Sequence, residues 1–194
     1  MMRIGLILAA AAAAAFAAPA AAEPHDSFAA LCLDADGDRA TTERTARSMG
    51  WRAAPADLVS LYAADPDAVG FVDFDPALPQ PEAGELVTAS HGSVTDPAGR
   101  TMDLSICAVV GRSAVGDVRA RLEPRLGSGV YGQHGDAWVY ALEDGVARSI
   151  ADVVDQGEDA LAAFSRSRPV HMVSVVPEAD GRVGLILTVF RADE

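Results

Sequence analysis

Two cysteines, Cys32 and Cys107, restrain this fold more than any other feature of the sequence, provided that they meet an oxidising environment. The opening residues predict that they do. The stretch "MMRIGLILAAAAAAAFAAPAAAE" has one basic residue, Arg3, an uncharged run from Ile4 to Ala18, then Pro19 and the small-residue ending Ala20-Ala21-Ala22. That is the pattern of a secretory leader with an A-x-A cleavage site, cut before Glu23. A membrane anchor is the competing reading, but the run is mostly alanine, is broken by Pro19, and falls short of the roughly 20 strongly apolar residues that a bilayer span requires. Cys32 lies too far past Ala22 to become a lipidated first residue. The expected division is a leader, residues 1–22, and one soluble domain, residues 23–194, delivered to the periplasm or the medium without stable membrane insertion.

Beyond the cytosol thiols are normally oxidised, and two cysteines allow a single intramolecular pairing. A Cys32–Cys107 bridge would close a loop of about 75 residues and stabilise the fold by roughly 4.5 kcal/mol through lost chain entropy. A redox role needs C-x-x-C or a cationic neighbourhood, and the sequence around the two thiols has neither. The bridge is therefore expected to be structural.

The formal charge is −13 and becomes −14 once Arg3 leaves with the leader. Phosphate backbones repel such a surface, and no basic stripe offsets the repulsion, so nucleic acid is not an expected partner. The chain contains no lysine and no asparagine. Schiff-base lysines, the P-loop lysine and S-x-x-K nucleophile pairs are thereby excluded.

Phe28, Leu31 and Cys32 fall at i, i+3 and i+4, so a helix opened by an Asp26 cap carries the first cysteine into the core. After the acidic run Asp34, Asp36, Asp38, a second helix is expected through the Glu43–Arg47 pair. It stops at Gly50-Trp51, with the glycine left-handed and the indole folded back as its apolar contact. A third starts at Pro55 and runs through Leu58, Leu61 and Tyr62. Four prolines between Ala64 and Gly84 argue for an irregular crossing segment. Beyond it the period changes to two. Met102, Leu104, Ile106, Ala108 and Val110 alternate with residues that include Cys107, so this strand presents the second cysteine opposite an apolar row, where the cysteine helix should lie.

"ELVTASHGSV" reads as the preceding strand, joined through a turn at "TDPAGR". A helix capped by Ser113 and ending near Pro124 and Gly127 follows, then the strand "DAWVYAL", a helix over "ARSIADVVDQGEDALAAFS" and a hairpin turning at 179–181. The sum is an α+β domain: N-terminal helices followed by an antiparallel sheet of about five strands, with one or two further helices.

Candidate sites are sparse. Asp34, Asp36 and Asp38 match the first three ligand positions of an EF-hand loop, but Arg39 stands where glycine is needed and Thr45 where the closing glutamate belongs. They read better as an acidic lead-in to the next helix, with a weak calcium contact as the alternative. Gly127–Gly132, "GSGVYG", matches G-x-G-x-x-G but leaves a helix and enters a strand, the reverse of a dinucleotide site, so no cofactor is expected. His25, His91, His134 and His171 show no metal-ligand spacing. The pocket candidates are His91, His134 with Asp136 as a carboxylate able to orient it, and His171. His171 lies inside an apolar strand and reads as a hydrogen-bonded core or edge residue. Ser90 and His91 are neighbours on a strand and face opposite ways.

Phe28-x3-Cys32, followed by a short polar helix ending in Gly50-Trp51, resembles the N-terminal part of small exported proteins of unassigned function from alphaproteobacteria. The resemblance covers residues 28–51, and it implies the periplasm and a structural cysteine but no activity. The expectation is a non-enzymatic periplasmic domain for binding or envelope interaction, with an unknown protein or small-molecule partner. The alternatives are a small-ligand or calcium binder, and a small hydrolase or metalloenzyme using convergent histidines.

Overall fold

The computed structural model describes residues 23–63, 65–76, 84–95, 99, 101–127, 136–178 and 180–192. The chain enters through α1 (Pro24–Phe28), which runs directly into one π turn (Ala29–Leu33), and then forms α2 (Arg39–Ser48). Strand β1 (Arg52–Ala53), helix α3 (Ala56–Tyr62) and strand β2 (Val69–Val72) come next. The long strands β3 (Leu86–Thr95) and β4 (Thr101–Arg112) lead to α4 (Val115–Leu126). The rest is β5 (Asp136–Glu143), β6 (Val146–Ser149), α5 (Ala151–Asp155), α6 (Glu158–Ser165), β7 (Val170–Pro177) and β8 (Arg182–Ala192). All the strands join one antiparallel sheet of eight, ordered β1-β2-β3-β4-β8-β7-β5-β6. The fold is α+β. No helix among the described residues is long and apolar enough to cross a membrane.

The sheet has more strands than the five expected because three of them, β1, β2 and β6, are too short to show a period of two. The segment read as an irregular crossing contains β2, whose Phe71 and Val72 are buried. The single helix expected over residues 147–165 is divided. Its first residues pair with β5 as β6, and the helical part breaks at Gly157, whose φ of 99° interrupts a right-handed helix. Two expected caps also differ. Glu23 precedes α1, leaving Asp26 inside its first turn, and Ala114 rather than Ser113 precedes α4, with no side-chain cap. The turn read at 96–100 lies largely outside the described residues. At α2 the sequence reading holds. Asp38 accepts from the Thr41 N–H at 2.8 Å, Gly50 N–H reaches the Arg47 carbonyl and Trp51 N–H that of Ala46, and Gly50 is left-handed. Together these form a Schellman stop with a buried indole.

The core lies on the sheet face that carries Cys107. Val87, Cys107, Val109, Leu185, Leu187, Val189, Val173 and Trp138 project from it, and Phe28, Leu31, Cys32 and Ala46 from above, with Val118, Leu122 and Leu126 of α4 beside them. Phe28, Leu31 and Cys32 are fully buried on one face, as their spacing predicts. The disulfide Cys32–Cys107 fastens the π turn to β4, with Cα atoms 5.5 Å apart. Thr42 Oγ1 donates to the Leu31 carbonyl at 2.8 Å and ties α2 to the same turn. On the opposite face a second cluster gathers Val139, Ala141, Ile150 and Val170 under α5 and α6.

One charged group is enclosed in the main core. Glu85 stands just before β3, level with Gly111 on β4, and is 1% exposed. A side chain on Gly111 would meet the Pro24 ring at 2.7 Å and the Glu85 stem at 3.0 Å, so glycine is what lets α1 seat there. Ser27 Oγ donates to Glu85 Oε2 at 2.5 Å, while Oε1 has no partner. Burial pushes this carboxyl up to about 7; the Ser27 bond opposes the shift, and the charges of Asp73, Glu23 and Asp26 add to it.

Two outcomes follow from this packing. Replacing both cysteines by serine lowers unfolding free energy by about 4 kcal/mol in urea titrations, and non-reduced intact mass shows the loss of two hydrogens. Because the Glu85 carboxyl is raised in the folded state, its favourable contribution is complete below 4.5 and is lost as pH rises through about 7. The span is worth about 3 kcal/mol. Urea midpoints measured from pH 4.5 to 8 fall in the uncleaved chain and flatten in its Glu85→Gln variant.

Candidate functional site

The bridge decides where the acidic run goes. Four residues beyond Cys32 the chain reverses through Asp36 and Gly37, both left-handed, with φ of 53° and 69°. Gly37 N–H closes the turn on the Cys32 carbonyl at 3.1 Å. The turn lies on the sheet so closely that a side chain on Gly37 would come within 3.1 Å of Val189. Asp36 is thereby held over the sheet with its carboxylate pointing at His171 and Arg191.

His171 Nε2 donates to Asp36 Oδ1 at 2.6 Å, and Arg191 Nη2 to Oδ2 at 3.0 Å. Burial alone would raise the Asp36 carboxyl, but hydrogen bonding to and the charge of His171, with Arg191, outweigh it and hold the group below its usual range. The imidazole is 2% exposed and stacks on Tyr140, ring centroids 5.0 Å apart and planes 15° from parallel. Arg191 Nη1 also donates to Ser105 Oγ at 3.3 Å, and His91 Nδ1 lies 3.4 Å from the same hydroxyl. These contacts follow from register. His91 pairs with Ser105, Ser105 with Val189, Val189 with His171, and His171 with Tyr140. One row crosses five strands on the core face, and it is polar where the neighbouring row of Ala89, Cys107, Leu187, Val173 and Trp138 is not.

Beside this row opens a hollow of about 340 Å³, bordered by Asp36, His171, Tyr140, Leu142, Leu126 and the Arg125–Asp34 ion pair. Its size suits a small molecule. The Tyr140 phenol is raised by burial first and by the Asp36 charge second, with Arg125 opposing, so the hydroxyl stays protonated through the physiological range. A larger cleft of about 540 Å³ lies between α3 and β2, lined chiefly by Ala53, Ala54, Val59, Val69 and Phe71. Its arginine, Arg47, is paired with Glu43 and rests over the Phe71 ring, which leaves the first hollow as the richer in convergent polar groups.

The three aspartates offered as calcium ligands diverge to different partners. Asp34 pairs with Arg125, Asp36 with His171 and Arg191, and Asp38 caps α2. Among the described residues no group of three or more His, Cys, Asp or Glu side chains is arranged to hold a metal. Of the pocket candidates, His91 and His171 join one network, though His91 reaches it only through Ser105. His134 and the Asp136 side chain lie outside the described residues. Ser90 and His91 face opposite ways, since Ser90 pairs with Ile106 and His91 with Ser105. Residue spacing did not point to Tyr140, Arg191, Ser105 or Arg125. The available signal was a break in pattern, with polar Asp103 and Ser105 sharing the phase of buried Cys107 and Val109.

Comparison of the chain with models of protein families, with curated proteins and with solved structures finds no match. Geometry alone therefore carries the functional reading.

Replacing Asp36 by asparagine keeps the shape and tolerates the left-handed backbone but leaves the amide able to accept where only one of its two partners can be served. Urea denaturation at pH 7 is expected to show a loss of about 1–2 kcal/mol. Asp34→Asn, at the exposed rim, costs less than about 0.5 kcal/mol.

Proposed function

We propose that this chain is an exported, non-enzymatic binding domain that works in the periplasm or outside the cell and takes a small amphipathic molecule into the hollow beside Asp36. The leader pattern, the resemblance to exported alphaproteobacterial proteins and the disulfide support the compartment. The observation that carries the binding reading is the saturated Asp36 carboxylate. With both oxygens bonded, it holds His171 and Arg191 in place and, through the stacked His171, fixes the Tyr140 ring at the wall of the hollow. A preorganised wall of this kind recognises a ligand without paying for reordering. Leu126, Leu142 and Ala147 supply apolar contact, and the protonated Tyr140 hydroxyl and Arg125 at the rim supply donors.

The catalytic alternative has one observation in its favour, the approach of Ser105 Oγ to His91 Nδ1. Against it, the serine is buried and already accepts from Arg191, which holds the lone pair that a nucleophile would need.

A small-molecule library scanned by thermal shift is expected to yield compounds that raise the melting temperature of the parent protein. The shift should vanish in Leu142→Trp, which closes the mouth, and shrink in Tyr140→Phe. Hits that bind both variants as well as the parent would place binding elsewhere. Covalent labelling of Ser105 by a fluorophosphonate would favour the hydrolase instead.

A further inference from the structure

We propose that the enclosed carboxyl of Glu85, with one oxygen bonded to Ser27 and the other bare, is a receptor for the α-ammonium that cleavage before Glu23 exposes, so that leader removal completes the packing of α1. This rests on the leader reading above, and the test below separates the two.

The geometry describes a site that lacks a cation. Glu85 is 1% exposed and one of its oxygens, Oε1, has no partner. The other accepts from Ser27, a neutral hydroxyl. The charges of exposed Glu23, just before α1, and exposed Asp26 reach it, and from the turn after β2 so does that of Asp73, whose Oδ1 accepts from the Glu85 N–H at 2.8 Å. From β4 the facing residue is Gly111, uncharged. His25 of α1 pairs with Asp26 instead. A buried carboxyl with a bare oxygen among acidic neighbours is costly unless something positive meets it. No arginine among the described residues bonds to it, and the chain has no lysine to offer.

One ammonium can still be made, by cutting the chain. Glu23 stands one helical turn before Ser27, the residue that already touches Glu85, and the Ser27 N–H bonds back to the Glu23 carbonyl at 3.3 Å. Glu23 is the exposed, extended cap residue of α1, joined directly to Pro24, so its nitrogen lies within a residue of the ring that packs beside the carboxyl. The Pro24 ring, seated against Gly111 beside the Glu85 stem, fixes that end of α1. While residue 22 is attached the Glu23 nitrogen is a neutral amide with one N–H. After cleavage it is a cation with three donors, enough for Glu85 Oε1 and a neighbouring carboxylate. Processing would thus give the bare oxygen of Glu85 a cationic partner.

The test uses the full chain with a site-specific protease sequence in place of residues 19–22, so that one preparation gives both the uncut form and the form that begins at Glu23. At pH 7.5 cutting is expected to raise the melting temperature by roughly 4–8 °C. Acetylation of the new terminus, or Glu85→Gln, should remove the rise. The decline of stability between pH 4.5 and 7 seen in uncut protein should be absent from the cut form, which loses its gain only as pH climbs through the raised α-amino value. Should Glu85→Gln fail to fold, an NMR titration of the cut parent needs no variant: an α-amino pKa above the ordinary ~8 supports the pairing. Equal melting temperatures for cut, uncut and acetylated forms, or an α-amino pKa at or below the ordinary value, overturn it. N-terminal sequencing of protein exported by cells judges the leader reading separately, because a different natural start would leave the result for Glu23 unchanged.

Discussion

A single sulfur–sulfur bond between the π turn and the fourth strand organises the rest of the molecule. It pins Cys32 against Cys107 in the middle of the sheet, and this decides which face becomes the core. With that face chosen, Phe28 and Leu31 have an apolar row to bury into, and α2 follows because Thr42 is tied to the Leu31 carbonyl. The left-handed reversal at Asp36 is the next link, since four residues from the bridge the chain has little freedom to place that carboxylate anywhere except over Val189. The polar row then has its anion, and His171 can be buried without being left wholly unpaired.

Buried polar groups appear at the two ends of this helical cap, and the two ends solve the same physical problem differently. Near Asp36 the chain brings N–H donors, those of His171 and Arg191, to an anion, and the carboxylate is held ionised in a half-exposed position. At Glu85 it brings the charges of other acids to an acid, and the carboxyl is pushed up to about 7. In the first arrangement both carboxylate oxygens are met, although the buried Nδ1 of His171 has no partner among the described residues. In the second one carboxyl oxygen is left bare, and that difference makes the start of α1 a more informative place than its five residues suggest.

Much of the architecture was legible in the sequence because it is written in local patterns. The i, i+3, i+4 spacing of Phe28, Leu31 and Cys32 announces a buried helix face. Gly50-Trp51 announces a stop, and the alternation through Cys107 announces a strand whose cysteine side meets the helix. The short edge strands were not legible. Two or four residues carry too little period, and a run such as residues 146–165 is apolar enough to satisfy a helix until Gly157 divides it. The candidate site was only dimly visible, since its members are united by register across five strands. His171 could be read as a hydrogen-bonded residue in an apolar strand, but the identity of its partner depends on a backbone reversal that an aspartate adopts only because the bridge and Val189 leave it no alternative.

The position of β8 carries one more consequence. This strand, residues 182–192, is the last to be made among those described, yet it sits between β4 and β7 and joins the sheet's two halves. Until it emerges, the β1-to-β4 half and the β5-to-β7 half have no backbone ladder linking them. Closure must therefore wait until residues 182–192 have been made, and pairings across such sequence distances form slowly. Both sulfurs that the bond fixes thus belong to elements made before the strand that joins the two half-sheets.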